Sequence, residues 1–263
     1  GYGTSDSNAD SDFDTLPDGW EVANERDPLV ADYQLSISRQ HLCAIDDNGV
    51  QCWGVNDWGQ TNVPTLSHPV MVSVGRDVGY VTCAIDDYGL LCWGLSYYGQ
   101  TNVPELTNPT KISLGARHNC ALDDNGVKCW GDNDFGQTDV PALSNPVQVS
   151  SGSQHSCAID DNGVQCWGYN VTGASDVPTL SNPVQVAAGH MHTCAIDDRG
   201  VQCWGFNGSG QTDVPALSNP KKISSFMHNC ALDDSGVQCW GSNGSGQTDV
   251  PALLNPVAVA VDS

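Results

Sequence analysis

Residues 10–21 read Asp-Ser-Asp-Phe-Asp-Thr-Leu-Pro-Asp-Gly-Trp-Glu. Oxygen atoms suited to a hard cation recur there at Asp10, Asp12, Asp14, the Leu16 carbonyl, Asp18 and Glu21. These are the first, third, fifth, seventh, ninth and twelfth places of a loop that wraps calcium, an ion taking roughly six to eight oxygen ligands. Thr15 occupies the sixth place, where such loops carry glycine, and a β-branched side chain resists the sharp turn. The other reading is an acidic linker, in keeping with the Ser/Asp-rich run over 4–12. On the first reading, calcium is the expected cofactor.

The 12 cysteines form a second set, and all of them fall into pairs nine residues apart. Cys43 pairs with Cys52, Cys83 with Cys92, Cys120 with Cys129, Cys157 with Cys166, Cys194 with Cys203 and Cys230 with Cys239. A zinc site wants closely spaced Cys-x2-Cys pairs converging in fours, which these gaps do not supply. Even, local pairing indicates disulfides and an oxidising compartment. Asp-Asp pairs at 46–47, 86–87, 123–124, 160–161, 197–198 and 233–234 invite an acid/base or metal reading. A catalytic pair needs two unlike environments to separate its pKa values, and equivalent turn tips repeat one environment. Turn chemistry is the better account. No phosphate loop, zinc-protease motif or nucleophile elbow is present, so no enzymatic activity is expected.

The chain of 263 residues carries 9 Lys+Arg against 31 Asp+Glu, a formal charge of −22. Such a field repels nucleic acid and anionic lipid, which argues against a polyanion partner. No apolar run approaches about 18 residues, so membrane insertion is not expected. The chain begins Gly-Tyr-Gly without Met, read here as the processed form of an exported, extracellular protein.

First cysteines at 43, 83, 120, 157, 194 and 230 recur every 36–40 residues, the period of a solenoid, propeller or array. One unit, 145–181, holds three short β-type runs at 147–150, 155–159 and 164–168, with no helical periodicity. Tyr88 and Arg199 stand before the hairpin glycine in two copies and suit positive φ poorly. A four-residue loop, Asp160-Asp161-Asn162-Gly163, with only the glycine left-handed, fits all six copies. That register places Cys157 opposite Cys166, at about the cross-strand Cβ distance a disulfide needs. One face then carries His155, Cys157, Ile159, Val164 and Cys166, the other Ala158 and Trp167; the small Ala leaves space for a Trp of a neighbouring blade.

The pattern H-x-C-A-[IL]…G-V-x-C-W-G-x-N-x-x-G-Q-T-x-V-P over residues 34–263 resembles the regulator of chromosome condensation repeat. It is similar to the short bacterial form seen in propeller-type β-lactamase inhibitor proteins. The 10–21 segment resembles thrombospondin type 3-like or dockerin-like calcium motifs. The resemblance implies an all-β propeller of short three-stranded blades, six complete plus one partial, each with one intra-hairpin disulfide. It follows an acidic calcium-binding segment with a short helix at 1–33. The resemblance also implies a structural role for His41, His118, His155, His192 and His228, hydrogen-bonded to a neighbouring loop, over a metal-binding ring.

Seven inner-strand segments are expected, at 34–38, 70–74, 110–114, 147–151, 184–188, 221–225 and 257–261, and only the first six precede a hairpin. The seventh could start an incomplete blade, close the ring, or pair with another molecule. The loop after each Cys-Trp-Gly varies at its tip: Trp58, Tyr97, Tyr98 and Phe135 in the first three copies, small residues in the last three. Such an aromatic half-rim suits a partner surface, as in the inhibitor relatives, or a cover for its own blades. Three readings follow. One is a secreted or cell-surface interaction module, stabilised by calcium, that binds a protein partner. Another is a structural protomer self-assembling into an extracellular filament through the terminal strand. The third is a secreted enzyme inhibitor.

Overall fold

A computed structural model describes residues 34–262 apart from Asp47. The calcium loop and short helix expected within 1–33, and Asp47 of the first Asp-Asp pair, lie outside the described residues. Among the described residues, 18 strands form six antiparallel sheets of three. Each sheet is one repeat: an inner strand of four residues, then a hairpin of two six-residue strands. Blades 1 to 6 span 34–54, 71–94, 111–131, 148–168, 185–205 and 222–241.

Blade 4 shows why the repeat folds this way. Its strands are Gln148–Ser151, His155–Asp160 and Gly163–Gly168. Cys157 faces Cys166, as the spacing predicts. The ladder runs on to pair Asp160 with Gly163, so the turn proper is two residues, tighter than the expected four. Only the glycine is left-handed, at φ +105°. Asn162 avoids positive φ because the Asp160 carboxylate accepts its N–H at 2.8 Å, which closes the turn from the side chain. Tyr88 and Arg199 are accommodated for the same reason, through Asp86 and Asp197.

All six expected disulfides are present, each within its own hairpin, and no cysteine is free. Cys43 is bonded to Cys52, Cys83 to Cys92 and Cys120 to Cys129. Cys157 is bonded to Cys166, Cys194 to Cys203 and Cys230 to Cys239. The two halves of each bridge differ in burial. The first cysteine, on the middle strand, is buried in every blade. The second lies on the outer strand, so Cys52, Cys129, Cys166, Cys203 and Cys239 are half-buried, and only Cys92 is fully covered. Each closure stabilises a blade by roughly 2–3 kcal/mol in the chain-entropy model.

The core lies between blades. Cys157, Ile159 and Val164 of blade 4 meet Ala195 and Trp204 of blade 5, and a matching set recurs between blades 5 and 6. The indole beside each invariant alanine thus belongs to the alanine's own blade, correcting the expectation that a neighbour supplies it.

Side chains stitch the inner strands together. Gln148 accepts the Val186 N–H and donates to its carbonyl, and Gln185 does the same to Ile223. Serines add a second stitch: Ser36 to Val74 N–H, Ser113 to Ser151 N–H and Ser150 to Ala188 N–H, at 2.8–3.0 Å.

The expected seventh inner strand is corrected. Among the described residues, 257–261 form no ladder. Their position is nevertheless the seventh one: Val261 N–H donates to Ser224 Oγ at 3.0 Å, the stitch seen at three other joints. Asp262 then accepts the Arg39 N–H of blade 1 at 2.7 Å. Across the axis, the half-buried Arg76 of blade 2 donates to the carbonyls of Ala188 and Ser225.

Candidate functional site

Four of the five histidines engage the following blade through Nε2. Nε2 of His41, His118, His155 and His192 lies 2.7–2.8 Å from Thr82, Ser156, Thr193 and Asn229 of the next blade. Several of these partners pass the contact on. Thr82, Thr193 and Asn229 donate to the carbonyls of Gln60, Ala174 and Gln211, and Asn119, which follows the blade with Val81 in place of histidine, donates to that of Gln100. The same carbonyls, together with that of Gln137, accept the indole N–H of Trp93, Trp130, Trp167, Trp204 and Trp240. The histidine role expected from the resemblance is thus realised against the next blade, one step before the loop. Burial pushes His41 and His118 down to about 4 and His155 to about 3, so the rings are neutral at pH 7.

The Asp-Asp pairs are spent on turns. The first Asp caps its own hairpin with one oxygen and accepts the N–H of Ser67, Thr107, Ser144, Ser181 or Ser218 with the other. The second Asp holds the same connecting loop, as where Asp124, Asp161 and Asp198 accept from Asn108, Asn145 and Asn182. Burial works to raise the Asp123 carboxyl, but the N–H groups of Thr107 and Asn125 and the Lys128 ammonium hold it below the usual range. Among the described residues, no group of three or more His, Cys, Asp or Glu side chains could hold a metal ion. A cleft of about 380 Å³ beside Asp123 and Asp124 therefore holds carboxylates already committed to the turn.

The rim loops are built by a different device. In the first, Asn56 accepts the Thr61 N–H and donates to Asn62, while Gln60, fully buried, accepts the Trp58 N–H at 3.0 Å. Gly59 takes φ +77°, which a side chain would strain. The loop at 133–139 repeats each contact, and that at 96–102 keeps the glutamine with Ser96 in place of the asparagine. The frame thus holds its own backbone and leaves the tip side chains outside.

Trp58, Tyr97, Tyr98 and Phe135 all stand exposed on this rim. They meet across blades: Trp58 packs edge-on against Tyr97 with ring centroids 5.6 Å apart, and Arg117 lies over the Tyr98 ring at 5.1 Å. Phe135 packs edge-on against Tyr169 at 5.1 Å. Arg117 and Tyr169 were not legible as members of this surface. They come from different parts of the repeat, and only the stacking of blades brings them to the tips. Among the described residues, no helix is long and apolar enough to cross a membrane.

Residues 110–137, 147–174 and 184–211 match the family model described as "Regulator of chromosome condensation (RCC1) repeat". Each match runs from an inner strand through the hairpin to its rim loop. The three matched repeats are blades 3, 4 and 5 of the β-propeller, whose architecture is similar to that of proteins built from this repeat. The ectodomain of the Physcomitrella patens receptor kinase CR4 superposes with a TM-score of 0.68 at 24% identity, over 79% of this chain and 63% of that one. The ectodomain of the Arabidopsis thaliana receptor kinase ACR4 gives 0.66 at 23%, over 81% and 87%. Saccharomyces cerevisiae Prp20p, described with its binding to Gsp1p and histones, gives 0.67 at 16%, over 79% and 71%. At these identities the likeness is one of fold. No curated protein matches the chain by sequence.

Proposed function

We propose that this chain is an extracellular, non-catalytic interaction module whose contact surface is the aromatic rim of blades 1 to 4. The observation that carries the reading is the pairing of exposed aromatics across neighbouring blades: Trp58 with Tyr97, Arg117 with Tyr98, and Phe135 with Tyr169. Rigid aromatic area beside a cation is what protein contacts are enriched in. The locked loops reduce the ordering cost of binding. The disulfides support an oxidising, extracellular setting, and the receptor ectodomains with this fold are consistent with it. Calcium bound by Asp10, Asp12, Asp14, Leu16, Asp18 and Glu21 would rigidify the segment before the propeller.

The test is a capture experiment on exported and cell-surface proteins with the intact chain and with a Trp58→Ala/Tyr98→Ala double variant. A protein held by the first and released at least tenfold more readily by the second supports the rim as the contact. Equal capture by both removes the rim from the reading.

A further inference from the structure

Three Asn-x-Ser/Thr triplets without proline at the middle place occur in the sequence: Asn170-Val171-Thr172, Asn207-Gly208-Ser209 and Asn243-Gly244-Ser245. The structure sets all three at one place, the rim loops that follow blades 4, 5 and 6. Each of the three asparagines is exposed. The rim loops of blades 1 to 3 lack the triplet, because Trp58, Tyr98 and Phe135 hold its third place. The rim is thus divided into an aromatic half and a hydroxyl half. The boundary falls in blade 4, where Tyr169 packs on Phe135 and Asn170 comes next.

The asparagine has a task in the loop frame, and that task does not call for the hydroxyl. Asn170, Asn207 and Asn243 accept the N–H of Ser175, Thr212 and Thr248 at 2.8–3.0 Å. Their side-chain nitrogens donate to Asp176, Asp213 and Asp249 at 2.7–2.9 Å. Asn56 and Asn133 make the equivalent contacts with Trp58 and Phe135 two residues on. Thr172 Oγ1 donates to the Met191 carbonyl at 2.9 Å. Ser209 and Ser245 are exposed, and among the described residues their hydroxyls make no hydrogen bond. The frame therefore accounts for the asparagines and leaves the two serines without a structural task.

We propose that Asn170, Asn207 and Asn243 are N-glycosylation sites whose glycans cover the rim from the tip of blade 4 to blade 6. In the transfer, the amide nitrogen bonds to the anomeric carbon of a glycan carried on a polyprenyl phosphate or diphosphate. The anomeric C–O bond breaks, the lipid-linked phosphate leaves, and one amide proton is released. A primary amide nitrogen carries two hydrogens, so the modified one keeps a donor for its aspartate and a carbonyl for the loop N–H. The approach is open at Gly244, where a Cβ would meet nothing within 4 Å. Val171, 83% exposed, and Phe206, 42% exposed, adjoin Asn170 and Asn207 and lie beneath the attached sugars. Trp58, Tyr97, Tyr98 and Phe135 stay open on the other half. The inference rests on the proposed function only for export of the chain.

The chain exported by its native host is reduced, digested with trypsin and analysed by mass spectrometry with fragmentation. Cleavage after Lys128, Arg199, Lys221 and Lys222 leaves one triplet in each of the peptides 129–199, 200–221 and 223–263. Sugar mass is expected on all three, at Asn170, Asn207 and Asn243, and none at Asn133, which shares the frame without the hydroxyl. Ser209→Ala should strip the sugar from 200–221 alone and leave the urea midpoint of unfolding unchanged. An exported chain with no sugar on any of the three peptides overturns the inference and leaves the rim reading standing. Sugar that survives Ser209→Ala, or that appears equally at Asn133, also overturns it. A chain retained inside the cell overturns both readings.

Discussion

The guanidinium of Arg76, in blade 2, lies 2.5 Å from the carbonyl of Ser225 in blade 6, on the far side of the axis. It also reaches the Ala188 carbonyl at 3.3 Å and rests 5.9 Å from the centroid of the Phe226 ring. Burial works against its charge, and Asp262 offsets part of that cost. One side chain therefore ties together three blades that are far apart in sequence.

Arg76→Ala should lower unfolding stability by roughly 2–4 kcal/mol, since two buried carbonyls lose a charged donor and the axis loses its filling. Arg76→Lys should recover only part, because an ammonium cannot span both carbonyls as a planar fork does. Urea unfolding of the two variants against the parent decides this, and an Arg76→Ala midpoint equal to the parent's refutes the strut.

The buried histidines make stability fall in mild acid. Above pH 6.5, folded and unfolded chains both hold these rings neutral. Below it, the unfolded chain takes up protons that His41 and His118 refuse until about pH 4 and His155 until about pH 3. The urea midpoint should start to drop between about pH 6.5 and pH 5, above the range in which the carboxylates contribute. His118→Val, the residue type present at Val81, should reduce that drop, and an unchanged slope would count against the account.

Paired tryptophan substitutions separate the joint from simple packing. Trp167→Phe removes the donor to the Gln137 carbonyl and should cost roughly 1–3 kcal/mol. Trp53→Phe removes no such bond and should stay within about 0.5 kcal/mol of the parent. Equal losses at both sites would show that ring size alone matters.

For the acidic segment, calorimetric titration of the chelator-treated chain with calcium should show saturable uptake. Asp12→Ala or Glu21→Ala should abolish it, by removal of one monodentate and one bidentate ligand. No heat of binding in the parent rejects the calcium loop.

The blade was legible in the sequence because its determinants are short-range. Cysteines nine apart, an Asp two residues before the turn's last N–H, and alternating apolar positions act within one hairpin. The histidine joint was half legible. His41, His118, His155, His192 and His228 stood out by position, yet their partners sit unremarked in the middle of His-x-Cys one repeat later. Arg76 gave no signal, since its contacts lie 112 and 149 residues away. Val-Ala-Val-Ala-Val at 257–261 reads as a strand, but a strand needs a second chain to bond, and none of the described residues supplies it. Trp58 and Tyr98 were found from their variation among copies. Arg117 and Tyr169 were not, because stacking alone gathers them.

The rim loops separate the residues that hold the fold from those left free at the tip. Asn133, Gly136 and Gln137 serve the backbone of their loop, and the Gln137 carbonyl serves the next blade. Asp134 and Phe135 at the tip contribute no side-chain hydrogen bond to that frame. Two adjacent positions per blade can therefore change residue type with little effect on stability. With the rim as the proposed contact, a lineage carrying this ring would retarget it by tip substitutions alone, much as an immune receptor varies its loops on a constant scaffold.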